Sequence, residues 1–156
     1  MKLCIDGDDA AVSLKRVIYE HLKARGVDIT DLDYAKGKEH PYYGEIGFSL
    51  ARAVQAGHYD RGILICGTGL GMAMIANKVE GVFAGTCHDV FSAERLKKSN
   101  DANVLTMGER VIGPELAKMI VDAWLNSEFA GGGSTPKVEQ LKTLEHQSFH
   151  PNSPIK

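Results

Sequence analysis

Short apolar runs alternate with longer segments of helical spacing along this chain. Lys2 to Asp6 (KLCID) reads as a first strand, ended by Gly7 and then small or acidic residues. From Val12 to Arg25 the apolar residues Val12, Leu14, Val17, Ile18 and Leu22 fall at roughly helical spacing. Gly26 closes that helix as a C-cap. Val27 to Leu32 is a weaker second strand interrupted by Asp28 and Asp31, followed by a polar loop over 33–41 and a helix from Tyr42 to Ala56. Gly62 to Cys66 (GILIC) is a near-continuous apolar run, the pattern of a strand buried on both faces. A glycine-rich turn and a helix through Lys78 come next. Gly81 to Thr86 then reads as strand four, with Asp89 capping a helix to Lys98. Ala102 to Thr106 is strand five, and Pro114 stands near the start of a helix through Asn126.

Five strand-then-helix units predict an α/β fold: a parallel sheet with helices on both faces. Gly131 to Ser134 (GGGS) marks a hinge, after which Thr135 as N-cap and Pro136 at the first helical position would begin a last helix. This divides the chain into a compact domain over 1–130 and a hinge, C-terminal helix and tail over 131–156. The last eleven residues, HQSFHPNSPIK, carry two prolines and are expected to lie loosely or against a partner.

Length fits one domain: 156 residues, with 44% hydrophobic and 24% charged, enough for a core and too apolar for global disorder. The net charge of −2 excludes a strong basic footprint for nucleic acid or an anionic membrane. No apolar run approaches the roughly 20 residues of a membrane span, and the N-terminal MKLCIDGDD is too short in apolar residues for a signal-peptide core. Three cysteines, at 4, 66 and 87, make no disulfide framework and no CxxC pair, which fits a reducing cytoplasm.

Ligands of such sheets bind at the carboxyl ends of strands, where strand order reverses. That directs attention to Asp6–Asp9, Cys66–Gly71 and Asn100–Asn103. The strongest motif is GILICGTGLGMAMIANK at 62–78, where a strand delivers Cys66 into a loop with glycines at 67, 69 and 71. Alternate glycines let backbone N–H groups converge on an anion ahead of a helix, and the same field favours a thiolate at Cys66, a candidate base. The competing reading is a tight packing turn with Cys66 as a small buried hydrophobe. A dinucleotide fingerprint fails because Met72 stands where the third glycine belongs; a Walker A loop fails because Lys78 is misplaced and no Ser or Thr follows it.

Asp6, Asp8 and Asp9 after strand one either grip sugar hydroxyls or cap the first helix. The six histidines show no HxxH or HExxH spacing, which predicts no metal site. Cys87 and His88 are neighbours on a strand and point to opposite faces, so a structural role is expected for both. Ser99 to Asn103 (SNDAN) is a polar turn able to bond ligand hydroxyls or only itself. Arg110 and Lys137 are cations suited to phosphate or simply solvated.

Together these pieces resemble the type B ribose-5-phosphate isomerases, a family that also contains allose- and galactose-6-phosphate isomerases. The matching stretches are Asp8, ICGTGLGMAMIANK at 65–78, SAERLKKSNDANVLTMGERVIGPELAKMIVDAWL at 92–125 and the glycines near 131 before the last helix. The resemblance implies a three-layer α/β/α Rossmann-like domain with a five-stranded parallel sheet, whose C-terminal helix packs on a partner subunit. It implies a homodimer or a tetramer of such dimers, with each active site completed by the partner, and no cofactor. The implied reaction is a metal-independent aldose–ketose isomerisation through a cis-enediolate, of the ribose 5-phosphate to ribulose 5-phosphate type. In that reading Cys66 shuttles the proton between C1 and C2, and Gly67, Thr68, Gly69 and Gly71 stabilise the enediolate oxygens. Asp8, Asp9, Ser99 and Asn100 would bind substrate, with Arg110 and Lys137 on the phosphate.

Three positions depart from the family pattern. Asp9 replaces a histidine, Ser99 replaces the histidine that opens the furanose ring, and Gly133 replaces an arginine of the phosphate site. An aldotetrose 4-phosphate cannot close a furanose ring, because its C4 hydroxyl is esterified. A tetrose 4-phosphate isomerase is therefore the alternative reading, since it needs no ring-opening acid–base group. A non-catalytic sugar-phosphate sensor is a third, which the thiol at position 66 argues against.

Overall fold

The computed structural model describes residues 1–39 and 41–152. Five strands, β1 (Lys2–Gly7), β2 (Asp28–Asp31), β3 (Arg61–Cys66), β4 (Ala84–Thr86) and β5 (Val104–Gly108), form one parallel sheet in the order β2-β1-β3-β5-β4. The helices are α1 (Val12–Ala24), α2 (Tyr43–Gln55), α3 (Leu70–Ala76), α4 (Val90–Lys98), α5 (Pro114–Leu125) and α6 (Thr135–Phe149). Strand order reverses between β1 and β3, so a crevice opens where Gly7 and Cys66 end those strands.

Side-chain alternation along the strands makes the three layers. Leu3, Ile5, Ile63, Ile65, Leu105 and Met107 pack one face onto Leu14, Ile18 and Leu22 of α1 and Ile120 and Trp124 of α5. Cys4, Leu64, Cys66 and Val104 face the other way, onto Ile46 and Leu50 of α2 and Met72 and Ala76 of α3. Arg61, at the start of β3 and 4% exposed, ties the layers at the far end of the sheet. Its guanidinium donates to the carbonyls of Trp124 (3.1 Å), Leu125 (3.5 Å) and Ser127 (3.1 Å), and to Glu128 (2.7 Å). A cation thus meets the carbonyl end of α5, where the helix dipole is negative. No helix of the described residues is long and apolar enough to cross a membrane.

Several expected boundaries hold. Gly26 (φ +74°) ends α1 with Gly26 N–H on the Lys23 carbonyl and Val27 N–H on that of Leu22. Asp89 caps α4 by accepting the Ser92 N–H at 2.7 Å. Others move. β4 is only Ala84–Thr86, because residues 81–83 are held by a side chain instead of a strand: Asn103 accepts the Phe83 N–H and donates to the Gly81 carbonyl, both at 2.9 Å. β5 lies two residues later than expected, aligned so that Gly62 pairs Val104 and Cys66 pairs Gly108. The GGGS hinge contains a single 3-10 turn (Gly132–Ser134), with Gly131 and Gly132 at positive φ. Ser134, not Thr135, is the residue before α6, and it makes no side-chain cap; Pro136 follows Thr135 in the first turn. The last eleven residues, expected to lie loosely or against a partner, begin as helix through Phe149, and the final four lie outside the described ones.

Candidate active site

β3 carries Cys66 to the carboxyl edge of the sheet, and the chain then turns through Gly67, Thr68 and Gly69 into α3. Gly69 has φ +78°, and a Cβ there would lie 2.8–2.9 Å from the Met107 backbone. A Cβ on Gly108 would come within 2.5 Å of the Thr68 Cα. The loop is pressed flat on the end of β5, and both contact points demand glycine. The Gly69 carbonyl lies 2.9 Å from Thr106 Oγ1 and 3.3 Å from Thr86 Oγ1, and the two hydroxyls are 2.8 Å apart, so their two protons serve the shorter contacts: Thr106 donates to the carbonyl and Thr86 to Thr106. These threonines on β4 and β5 fix the loop from below. The sulfur of Cys66, a residue 6% exposed, accepts the Gly69 N–H at 3.1 Å. Thr68 is exposed, and its Oγ1 accepts the Leu70 N–H at 3.4 Å. Burial pushes the other two thiols up, Cys4 to about 12 and Cys87 to about 11, so they remain protonated at neutral pH.

Asp8 stands beside this loop. Its N–H donates to the Ile65 carbonyl at 3.3 Å and its carboxylate accepts the Ala10 N–H at 3.1 Å, opening the Asp9–Ala11 turn. Burial raises the Asp8 pKa and Asp9 adds to the rise, while the Ala10 N–H and the Arg110 charge oppose it. Arg110 enters from the segment after β5: its N–H donates to the Gly67 carbonyl at 3.1 Å, and its side chain lies over Gly67, 3.5 Å from where a Cβ would stand. The preceding Glu109 accepts from Ser13 Oγ and from the Leu14 N–H (2.9 Å), binding the same segment to the start of α1. Asp8, Asp9 and Lys15 line a cleft of about 620 Å³ with Tyr42 and Tyr43. The Tyr43 ring rests on Gly71, where a Cβ would lie 2.6 Å from the ring.

Asp6 is buried, and its role is structural. Its carboxylate accepts the N–H groups of Gly7 (2.8 Å) and Tyr34 (3.1 Å), with Lys15 Nζ at 3.7 Å. Burial raises its pKa against those partners. His88 Nε2 accepts the Gly108 N–H at 3.0 Å, so this ring supports the end of β5 while Cys87 is buried in the core.

Asp8, Cys66, Gly67, Thr68, Gly69 and Arg110 are therefore brought together, with Asp9 and Gly71 at the rim. Ser99, Asn100 and Lys137 are not among them. Asn100–Asn103 precedes β5, so it lies at the amino end of that strand and not at a carboxyl end as expected. Ser99, Asn100 and Lys137 instead line a second cavity of about 720 Å³ between α4 and α6, with Asn77, Ala84 and Leu141. Sequence reasoning missed Thr86, Thr106 and Tyr43, whereas His88 has the structural role expected of it. For the threonines a signal exists: each is a hydroxyl in a strand that ends beside the cysteine loop.

A doubly wound sheet that presents a thiol, a glycine loop, a carboxylate and a guanidinium at its switch point defines an enzyme for a small polar substrate. The family model described as Ribose/Galactose Isomerase matches residues 3–141, and the chain belongs to that family. It is 49% identical, over 96% of its length and 99% of the relative's, to a Pectobacterium atrosepticum protein named D-erythrulose-4-phosphate isomerase. It is 43% identical, over 95% of this chain and 99% of the other, to Ribose-5-P isomerase B of Listeria innocua. The solved structure of Clostridium thermocellum ribose-5-phosphate isomerase B matches with a TM-score of 0.89 at 42% identity, covering 95% of this chain and 99% of that one. The chain is an aldose–ketose isomerase.

Proposed function

We propose that the chain interconverts a four-carbon aldose phosphate and its ketose phosphate through a cis-enediolate, with Cys66 moving the proton. The observation that carries the chemistry is the Cys66 sulfur held by the Gly69 N–H at the mouth of the glycine loop. Cys66 as thiolate takes the proton from C2 of the open-chain aldose and returns it to C1, while a proton passes from the C2 hydroxyl to the C1 oxygen. The conversion is redox-neutral and leaves the thiolate as it began. Negative charge on the enediolate oxygens is met by the backbone N–H groups of Gly67, Thr68 and Gly71, the Gly69 N–H being taken by the Cys66 sulfur. Asp8 and Asp9 hold substrate hydroxyls, and Arg110 beside Gly67 meets the phosphate.

Ser99, which cannot act as an acid–base group near neutral pH, favours the four-carbon substrate over ribose 5-phosphate, and so does the 49% identity to an enzyme named for erythrulose 4-phosphate. Ribose 5-phosphate is the second reading, supported by the similarity to Ribose-5-P isomerase B.

For Asn100 and Lys137 to touch the same substrate as Cys66, they must come from a second copy, since within one chain they line a different cavity. Exposed apolar side chains support a homodimer: Leu70 (58% exposed) and Met74 (69%) share a face of α3, and Phe91 is 72% exposed. Lysine at 137 keeps a positive charge for the phosphate without a two-pronged grip.

Replacing Cys66 by Ala tests the mechanism. With the fold intact by circular dichroism, kcat is expected to fall by a factor of about 10² or more, the share of a general acid–base group. Undiminished turnover would remove the thiol from the mechanism.

A further inference from the structure

Three side chains outside the candidate active site converge on one point at the surface. His146 on α6 and His150 just beyond its end are four residues apart, so they share one face of the helix. Their rings lie 4.5 Å apart between centroids, tilted by 39°. Glu80, in the turn between α3 and β4, faces both: one carboxylate oxygen is 3.0 Å from His146 Nδ1 and the other 2.9 Å from His150 Nε2. All donor atoms fall within 4.8 Å of one another. The side chains are 59%, 46% and 32% exposed for His146, His150 and Glu80, leaving an open side toward solvent.

From this convergence we infer a binding site for a divalent transition-metal ion of the zinc type, made by Glu80, His146 and His150. Two imidazole nitrogens and a carboxylate oxygen suit Zn²⁺ and its neighbours, whereas Mg²⁺ and Ca²⁺ seek oxygen shells. Bonds of about 2.0–2.2 Å at tetrahedral angles separate ligand atoms by about 3.3 Å. The nitrogen–oxygen spacings, 3.0 and 2.9 Å to the two carboxylate oxygens, lie within a few tenths of an ångström of that value, and with no two donor atoms more than 4.8 Å apart, side-chain rotation completes the set. The fourth position is left for water.

The site has a mechanical consequence. α6 buries only Val138 deeply and otherwise follows a glycine hinge, so little apolar packing fixes its far end. Glu145 accepts the Gly81 N–H at 3.0 Å on the same turn that carries Glu80. An ion at Glu80 would staple the last turn of α6 to that loop, and α6 is also the helix that carries Lys137. The role is structural: none of its ligands lies in the Cys66 cluster. The inference stands independently of the substrate reading.

Zinc itself is the probe, added to metal-stripped full-length protein in competition with a chromogenic chelator. Wild type is expected to bind one Zn²⁺ per chain at this site and to gain thermal stability on loading. His146→Gln, which keeps a hydrogen bond to Glu80 but no imidazole, and His150→Ala each lose that equivalent and the gain in melting temperature. His58→Ala, a change at an exposed histidine outside the cluster, retains both. The X-ray absorption spectrum of the zinc-loaded protein shows nitrogen and oxygen neighbours with a histidine signature. Binding unaffected by either substitution, sulfur in the zinc shell, or no binding by the wild type overturns the inference.

Discussion

Cys66 is held by restraints that act on its neighbours more than on the cysteine itself. Its sulfur takes the Gly69 N–H, the Gly69 carbonyl is pinned by Thr106 with Thr86 behind it, and the loop lies against a strand end with no side chain at Gly108. A methyl group at 69 would have to displace the backbone of Met107 and sit at φ +78°. Gly69→Ala is therefore expected to cost about 1–3 kcal/mol of stability and to lower kcat sharply, because the amide would no longer point at the sulfur. Urea unfolding and steady-state kinetics on one preparation check both; a variant of wild-type activity would mean the loop geometry is not what positions Cys66. Cys66 and the three glycines were legible in the sequence, because a cysteine at the end of a buried strand before alternating glycines leaves few conformations open, whereas Asp8 and Arg110 were singled out only through the resemblance. Thr86 and Thr106 offered only their position in strands ending beside the cysteine loop, a weak signal because threonine in a strand satisfies β propensity alone and a hydroxyl's target is set by tertiary contact.

Among the elements, β3 contributes at both of its ends. Cys66 closes it at the crevice, and Arg61 opens it by binding the carbonyl end of α5. Removing the Arg61 side chain would take the guanidinium from the Ser127 carbonyl, while the Trp124 carbonyl keeps the Ser127 N–H, at a cost of about 1–3 kcal/mol. Glu128 is the same cation's exposed partner, with a side chain 78% exposed, and its loss should change stability by no more than about 0.5 kcal/mol. Chemical denaturation of Arg61→Ala and Glu128→Ala would show this contrast, and equal effects would contradict it. Element order and kind were readable from periodicity; the bounds of β4 and β5 were not. Asn103 substitutes side-chain hydrogen bonds for a strand over 81–83, and the register against β3 sets where β5 begins. Asn100 precedes β5 under either set of bounds, Ala102–Thr106 or Val104–Gly108, so the shift does not account for its being grouped with the carboxyl ends.

For the whole molecule, the chain carries its candidate residues in two separate groups. One has the thiol, Asp8 and Arg110; the other has Ser99, Asn100 and Lys137 around a separate cavity. In the proposed dimer the two groups meet across the interface. Mixing Cys66→Ala chains with Lys137→Ala chains, under conditions that let subunits exchange, then yields heterodimers with one wild-type site. Activity at low substrate should rise above that of either variant alone, and a mixture no more active than its parts would place both residues in one chain's site. The resemblance implied a site completed by the partner but set only Lys137 across the interface, and periodicity, which reads one chain at a time, shows none of the division.

The most direct test is a comparison of kcat/KM for D-erythrose 4-phosphate and D-ribose 5-phosphate, with Cys66→Ala as control. A higher value for the tetrose, abolished in the control, is the predicted result, because Ser99 leaves no acid–base group to open a furanose ring. A higher value for ribose would contradict the four-carbon assignment and require another group to open the ring in place of the histidine absent at Ser99.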